Sequence, residues 1–217
     1  MMDTFPVRLY VMKTKEMEDP RKHPEWETML AGSRWKKAVS PVQEADRKNS
    51  AGAGWLLRYV FQKEGVPFSA DAIWYGPHGK PYHAALHFNL SHSGEYVICA
   101  VGKRNIGCDI QKKKACQTAM VRRFFSKEEQ DYIFAVQGDK RDERFIKIWS
   151  RKESLLKMTG EGLSRDLRQI SCVSAEGFFD WSLGDYLLSV CCERPEDVRA
   201  DHISIEYVNA RQVMIGC

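Results

Sequence analysis

The chain has no C-x-x-C pair among its seven cysteines, which removes the usual zinc-binding spacing. The cysteine count is odd and Cys191 and Cys192 are adjacent, so a disulfide framework is not expected either. Reduced thiols, mostly buried, and a cytoplasmic location fit this pattern best. No apolar run approaches the roughly 18 residues of a membrane span. Arg8, Lys13, Lys15 and Glu16 interrupt the N-terminal stretch before a signal-type apolar region can form. One-signed charge is also scarce. A formal net charge of +4 suits anionic ligands or acidic partners but does not argue for nucleic acid. What the chain does have is core material: 43% hydrophobic residues and six tryptophans in 217 residues, enough for one large domain or two of about 100 residues.

Hydrophobic patterning predicts a first strand over residues 5–12, then a charged stretch from 13 to 48 broken by Pro20, Pro24 and Pro41. A helix is expected over 50–63, with Asn49 or Ser50 as its cap. Gly76 to Pro81 reads as a loop, and 88–90, 96–101 and 106–110 read as strands. Helices follow at 119–125 and 127–137, the second capped by Ser126 with Glu129 closing the box. The best helix spans 142–158 and is stopped by Gly160. Strands return at 178–181, 186–192 and 203–208. The run from Gly94 to Val101 echoes that from Gly184 to Cys191, so the chain reads as either two similar α+β halves or two chance-alike hairpins.

Chemistry concentrates in four places. Asp109 lies between apolar residues on a strand-like run, where a carboxylate is costly unless paired or metal-bound. Gln111, two residues on, shares its face and can ligate a hard cation directly or through water. Glu153 and Lys157 are one helical turn apart, which is also a common surface pair, but Trp149 places Glu153 near the buried stripe. Asn89-Leu90-Ser91-His92-Ser93 is an ordinary polar turn or a phosphate-donating one. Lys80, and Arg34, Lys36 and Lys37 around Trp35, are phosphate-binding cations or solvated charge.

These pieces, in this order, resemble the large two-lobed 4′-phosphopantetheinyl transferases. The resemblance runs through Gly79-Lys80-Pro81, Phe88 to Gly94, Gly107-Cys108-Asp109-Ile110, Arg123-Phe124-Phe125-Ser126 with Glu129, Trp149-Ser150 with Lys152-Glu153-Ser154 and Lys157, and Gly160 to Ser164. It implies an α+β fold of two similar lobes with pseudo-two-fold symmetry, each a small antiparallel sheet packed with a long helix. The division is set at 1–104 and 105–217, with the site in the cleft between them. It implies transfer of the phosphopantetheine arm of coenzyme A to a serine of an acyl or peptidyl carrier protein, with Mg2+ (or Mn2+) on the pyrophosphate and adenosine 3′,5′-bisphosphate released.

By the same resemblance the metal ligands are Asp109 and Glu153, with Gln111 as a third. Ser91 and His92 bind phosphate, Lys80 and Ser50 lie near the nucleotide, and Arg34 and Lys37 meet the 3′-phosphate. Lys157 neutralises the pyrophosphate, and the base is Glu153, a metal-bound water or Glu129. Gln111 departs from the family, which has an acid there. Arg122, Arg123, Lys127 and Lys112-Lys113-Lys114 form a candidate docking surface for an acidic carrier, or a solvated loop. A monomer is expected, with no nucleic acid or membrane partner. Two other readings use the same residues: a coenzyme A-binding module without catalysis, and a metal-dependent nucleotide hydrolase.

Overall fold

A computed structural model of the chain describes residues 7–30, 32–198, 201 and 203–216. Strand β1 (Val7–Lys13) opens it; residues 5 and 6 of the expected strand lie outside the described residues. The stretch read as charged and broken holds two short helices, α1 (Trp26–Leu30) and α2 (Gly32–Val39). Helix α3 (Glu44–Lys63) begins six residues earlier than its apolar stripe suggests. Its polar first turn is held by burial of Arg47 against Asp19, a pairing that local patterning does not reveal. Asn49 and Ser50 are therefore buried mid-helix residues and not caps.

The hairpin β2 (Trp74–Tyr75) and β3 (Pro81–Tyr82) frames the expected glycine-rich turn. Strands β4 (His87–Ser93), β5 (Tyr96–Gly102) and β6 (Ile106–Lys112) follow. Next come α4 (Thr118–Phe124), α5 (Lys127–Phe134) with its Ser126–Glu129 capping box, and α6 (Asp139–Thr159), closed by Gly160 at φ 75°. Strands β7 (Phe178–Leu183), β8 (Tyr186–Cys192) and β9 (Ile203–Val208) and helix α7 (Ala210–Gly216) complete the chain.

One sheet has the order β4-β5-β1-β9, the other β6-β8-β7. The last strand returns across the expected division at 104/105. Strand β9 runs parallel to β1, Val7 opposite Ile203, and Tyr59 on α3 donates to Glu206 on β9 at 2.6 Å. The last strand thus belongs to the first sheet, which is mixed and not purely antiparallel. Helix α3 covers one face of that sheet and α6 packs on the second sheet. The remaining faces bury Leu9, Val11, Ile98 and Ala100 against Cys108, Ile110, Leu188 and Val190. These residues form one apolar cluster between the two sheets.

The echoing hairpins meet each other. Gly94 and Gly184 both turn at positive φ. Tyr186 accepts the Glu95 N–H at 3.3 Å, and its ring meets Tyr96 edge-on at 4.9 Å. Gly94 has no room for a Cβ, which would strike the Tyr186 hydroxyl. Among the described residues no helix is long and apolar enough to cross a membrane.

Candidate active site

The two sheets meet at a seam between β4 and β6. The outer edge of β6 presents backbone N–H groups that need acceptors. Alternate residues of β4 supply them. Asn89 Oδ1 accepts the Cys108 N–H at 3.0 Å, Ser91 Oγ the Ile110 N–H at 3.4 Å, and Ser93 Oγ the Lys112 N–H at 3.1 Å. The Asn-x-Ser-x-Ser run lies on a strand, and its alternate side chains accept these N–H groups. Ser91, expected on phosphate, is buried and fully engaged: its hydroxyl also donates to Asp109 Oδ1 at 2.9 Å and accepts from Lys157 Nζ at 2.7 Å.

Asp109 is 1% exposed at the centre of this seam. Lys157 Nζ reaches its Oδ1 at 2.5 Å, and Gln111 Nε2 donates to its Oδ2 at 2.9 Å. Gln111 therefore shares the Asp109 face, as period-two alternation requires. Helix α6 comes this close to β6 because the facing residues are small: Ser150 and Ser154 are buried one turn apart, and a Cβ on Gly107 would overlap the Ser154 carbonyl. Lys157 pairs with Asp109 across the seam, so the alternative of a Glu153–Lys157 surface pair is not what the structure shows. Burial pushes the Lys157 ammonium down, but Asp109, Cys108 and Glu153 more than reverse this, so it sits above the usual lysine value.

Glu153 is half-buried on the same helix, and among the described residues nothing donates a hydrogen bond or ion pair to it. Burial raises its carboxyl above the ordinary value, and the nearby Asp109 adds to the rise. Two carboxylates near enough to feel each other, one of them without a partner, fit a hard cation. Three hydrogen bonds leave Asp109 acceptor capacity on Oδ2. No group of three or more His, Cys, Asp or Glu converges among the described residues. That donor set suits magnesium, which often uses one or two carboxylates and takes its other ligands from water and phosphate.

Next to the seam opens a cleft of about 270 Å³ lined by residues of both halves, including His78, Lys80, Leu90, Glu153, Lys157 and Gly160. His92 stands beside Lys157, Arg34 and Lys37. Its side chain is open to solvent, yet the surrounding protein and then those three cations hold its imidazole below the usual value; only Asp46 opposes them. Burial also lowers Arg34, and burial together with Arg34 lowers Lys37. Neither has an acidic partner among the described residues, and Arg34 Nε has no hydrogen-bond acceptor at all. Positive charge assembled at a cost is relieved by an anion. Ser50 anchors this group without facing it: its carbonyl accepts from Arg34 Nη2 at 3.2 Å and its hydroxyl donates to the Lys37 carbonyl at 3.4 Å. A separate apolar slot against Arg34, lined by Leu57, Phe68, Ile73 and Tyr75, shares the walls Pro81 and Leu90 with the cleft.

Two expected members stand apart. Glu129, a candidate base, is 0% exposed and spent on structure. Its carboxylate accepts the Ser126 and Cys172 N–H groups at 2.8 Å each and pairs with Lys152 at 2.8 Å. Its partner Lys152 is equally buried and donates to the Leu167 and Ile170 carbonyls. Lys80 lines the cleft, but its ammonium turns to Asn105 Oδ1 at 2.8 Å and to the Met158 carbonyl at 2.5 Å. His78, Gly160 and Gly162 also wall the cleft; the sequence marks Gly160 as a helix stop and 76–81 as a loop, but nothing in its pattern points to His78 as a wall. Of the proposed docking residues, Arg122, Arg123, Lys127 and Lys112 to Lys114 are all exposed.

The family model described as the 4′-phosphopantetheinyl transferase superfamily matches residues 105–191, the stretch from β6 to β8. A 4′-phosphopantetheinyl transferase of Bacillus subtilis is 36% identical over 157 residues, 64% of this chain and 68% of that protein. The 4′-phosphopantetheinyl transferase Sfp of Bacillus subtilis (strain 168) is 40% identical over 114 residues, 52% of this chain and half of that protein's length. The 4′-phosphopantetheinyl transferase psf-1 of Bacillus pumilus is 26% identical over 210 residues, 88% of this chain and 87% of that protein.

Proposed function

The chain belongs to the 4′-phosphopantetheinyl transferase superfamily, a family of transferases, and we propose that it moves the phosphopantetheine arm of coenzyme A onto a serine of an acidic carrier protein. The observation that carries this reading is the shared position of Lys157. It holds Asp109 on one side and acts on His92 beside Arg34 and Lys37 on the other. A diphosphate with a second phosphate at its far end matches that run of charge. The two sheet-and-helix units are taken as related halves, and the protein as a cytoplasmic monomer.

In this reading Arg34, Lys37 and His92 bind the terminal phosphate, and Lys157 meets the pyrophosphate. Asp109 and Glu153 would hold magnesium, which when bound offsets charge on the diphosphate. Glu153 takes the proton of the carrier serine as its oxygen attacks the phosphorus next to pantetheine. The P–O bond to adenosine 3′,5′-bisphosphate breaks, and that group leaves with the bond's electron pair. Ser91 serves by orienting Asp109, and Lys80 and Glu129 have no part in phosphate binding or proton transfer.

The test is incubation with coenzyme A, magnesium and an apo carrier protein, read by mass. A gain of one phosphopantetheine arm on the carrier is the expected result. An unmodified carrier would leave the binding-module reading, and adenosine bisphosphate released without any carrier would favour the hydrolase.

Gln111 gives a sharper check. Gln111→Glu places a third carboxylate beside Asp109. Without metal the variant should melt lower than the wild type. With magnesium it should recover, and the magnesium concentration giving half-maximal stabilisation should fall several-fold. If magnesium shifts both proteins equally, position 111 does not face the ion.

A further inference from the structure

A lysine expected beside the nucleotide is placed where it does something else. Lys80 ends the turn between β2 and β3, closed by Gly76 N–H to the Lys80 carbonyl at 2.9 Å and by Gly79 at φ 79°. That turn aims its side chain inward, and it is only 7% exposed. Its ammonium makes two hydrogen bonds, to Asn105 Oδ1 and to the Met158 carbonyl, over the Tyr82 ring at 5.1 Å. No carboxylate pairs with it among the described residues. Burial lowers it to about 8.

Both acceptors are informative. Met158 directly follows Lys157, and its carbonyl is one of the last of α6, which have no partner within the helix. A cation there also meets the negative end of the helix dipole. Asn105 is the residue before β6, the strand that carries Asp109. One ammonium from the first half is thus tied to both elements of the second half that carry the reactive groups. Gly160 and Tyr82 close the same contact: a Cβ on Gly160 would meet the Tyr82 hydroxyl and the Lys80 stem.

We propose that Lys80 is a positioning residue, a strut between the halves that fixes the end of α6 against the start of β6 and so sets Lys157 against Asp109. It acts through those elements and does not contact the donor. The kinetic part of its test rests on the transferase reading, and the exchange part does not.

Lys80→Met keeps the stem and removes the ammonium. Asn105→Ala removes one acceptor at a position that does not line the cleft. In the unliganded full chain, amide hydrogen exchange in the last turn of α6, Leu156 to Gly160, should speed up about tenfold in Lys80→Met. In the carrier assay both variants should lower kcat, Lys80→Met by about ten- to a hundredfold, with the KM for coenzyme A within about twofold. The double variant should lose less than the product of the two single losses.

A raised KM with kcat retained would make Lys80 a donor contact and overturn the proposal. So would independent, multiplying losses, or kcat and exchange both unchanged. If Lys80→Met does not fold, Asn105→Ala carries the same kinetic and exchange tests. If the wild type modifies no carrier, the transferase reading fails and the exchange result alone decides the strut.

Discussion

Glu153→Gln is expected to yield a protein at least as stable as the wild type and about a hundred- to a thousandfold less active. The stability half follows from an absence of bonds. No described residue hydrogen-bonds to or pairs with Glu153, so the amide loses nothing the carboxylate had. Burial and Asp109 raise the carboxyl above the ordinary 4.5, which means the folded state disfavours its charged form. Such a carboxyl supports the fold while protonated and loses that support as pH rises through its raised folded value. Wild type and variant should therefore melt alike below about pH 4.5 and diverge above the raised value, the variant being the more stable. Magnesium should raise the wild type's melting temperature and leave the variant's nearly unchanged. Melting curves across pH, with and without magnesium, check this apart from any activity. A variant that melts lower at neutral pH would mean that Glu153 is held by partners and is not waiting for a cation.

Much of this site can be read in the sequence because it rests on local rules. Asp109 inside an apolar strand, Gln111 two residues on and Glu153 one turn from Trp149 are all placed by the periods of strand and helix. Gly160 as the stop of α6 and Ser126 with Glu129 as a box are local signals too, and both are found. What the sequence does not show is non-local. Ser91 reads as a phosphate donor because its sequence neighbours are polar; two of its partners in the fold, Asp109 and Lys157, lie 18 and 66 residues away. The return of β9 to β1 joins residues nearly 200 positions apart and leaves no trace in the pattern of either strand. Helix α2 is short, and its narrow apolar stripe of Trp35, Ala38 and Val39 is interleaved with Arg34, Lys36 and Lys37; it is held by packing on α3. Arg34 and Lys37 therefore read as a charged run until that packing brings them to His92.

Glu129 carries the largest expected effect on stability. The capping box predicted from sequence is present, and its partners give Glu129 a structural role away from the cleft. One carboxylate closes the start of α5, accepts the Cys172 N–H and balances Lys152, with neither charge in contact with solvent. Lys152 in turn holds the Leu167 and Ile170 carbonyls, so the pair fastens the segment after α6. Removing one charge strands the other in the core. Lys152→Met and Glu129→Gln should each cost about 3–5 kcal/mol, roughly 10 °C in a chain of this size. The double variant removes both charges and should recover more than half of either loss, since a buried pair can be replaced by neutral groups far more cheaply than it can be broken. Calorimetry of the three variants measures this. Assayed well below its melting temperature, Glu129→Gln should keep kcat per folded molecule within a few-fold of the wild type. A loss as deep as that of Glu153→Gln would instead return Glu129 to the chemistry, because an acid acting only through the fold should not matter once the fold is intact.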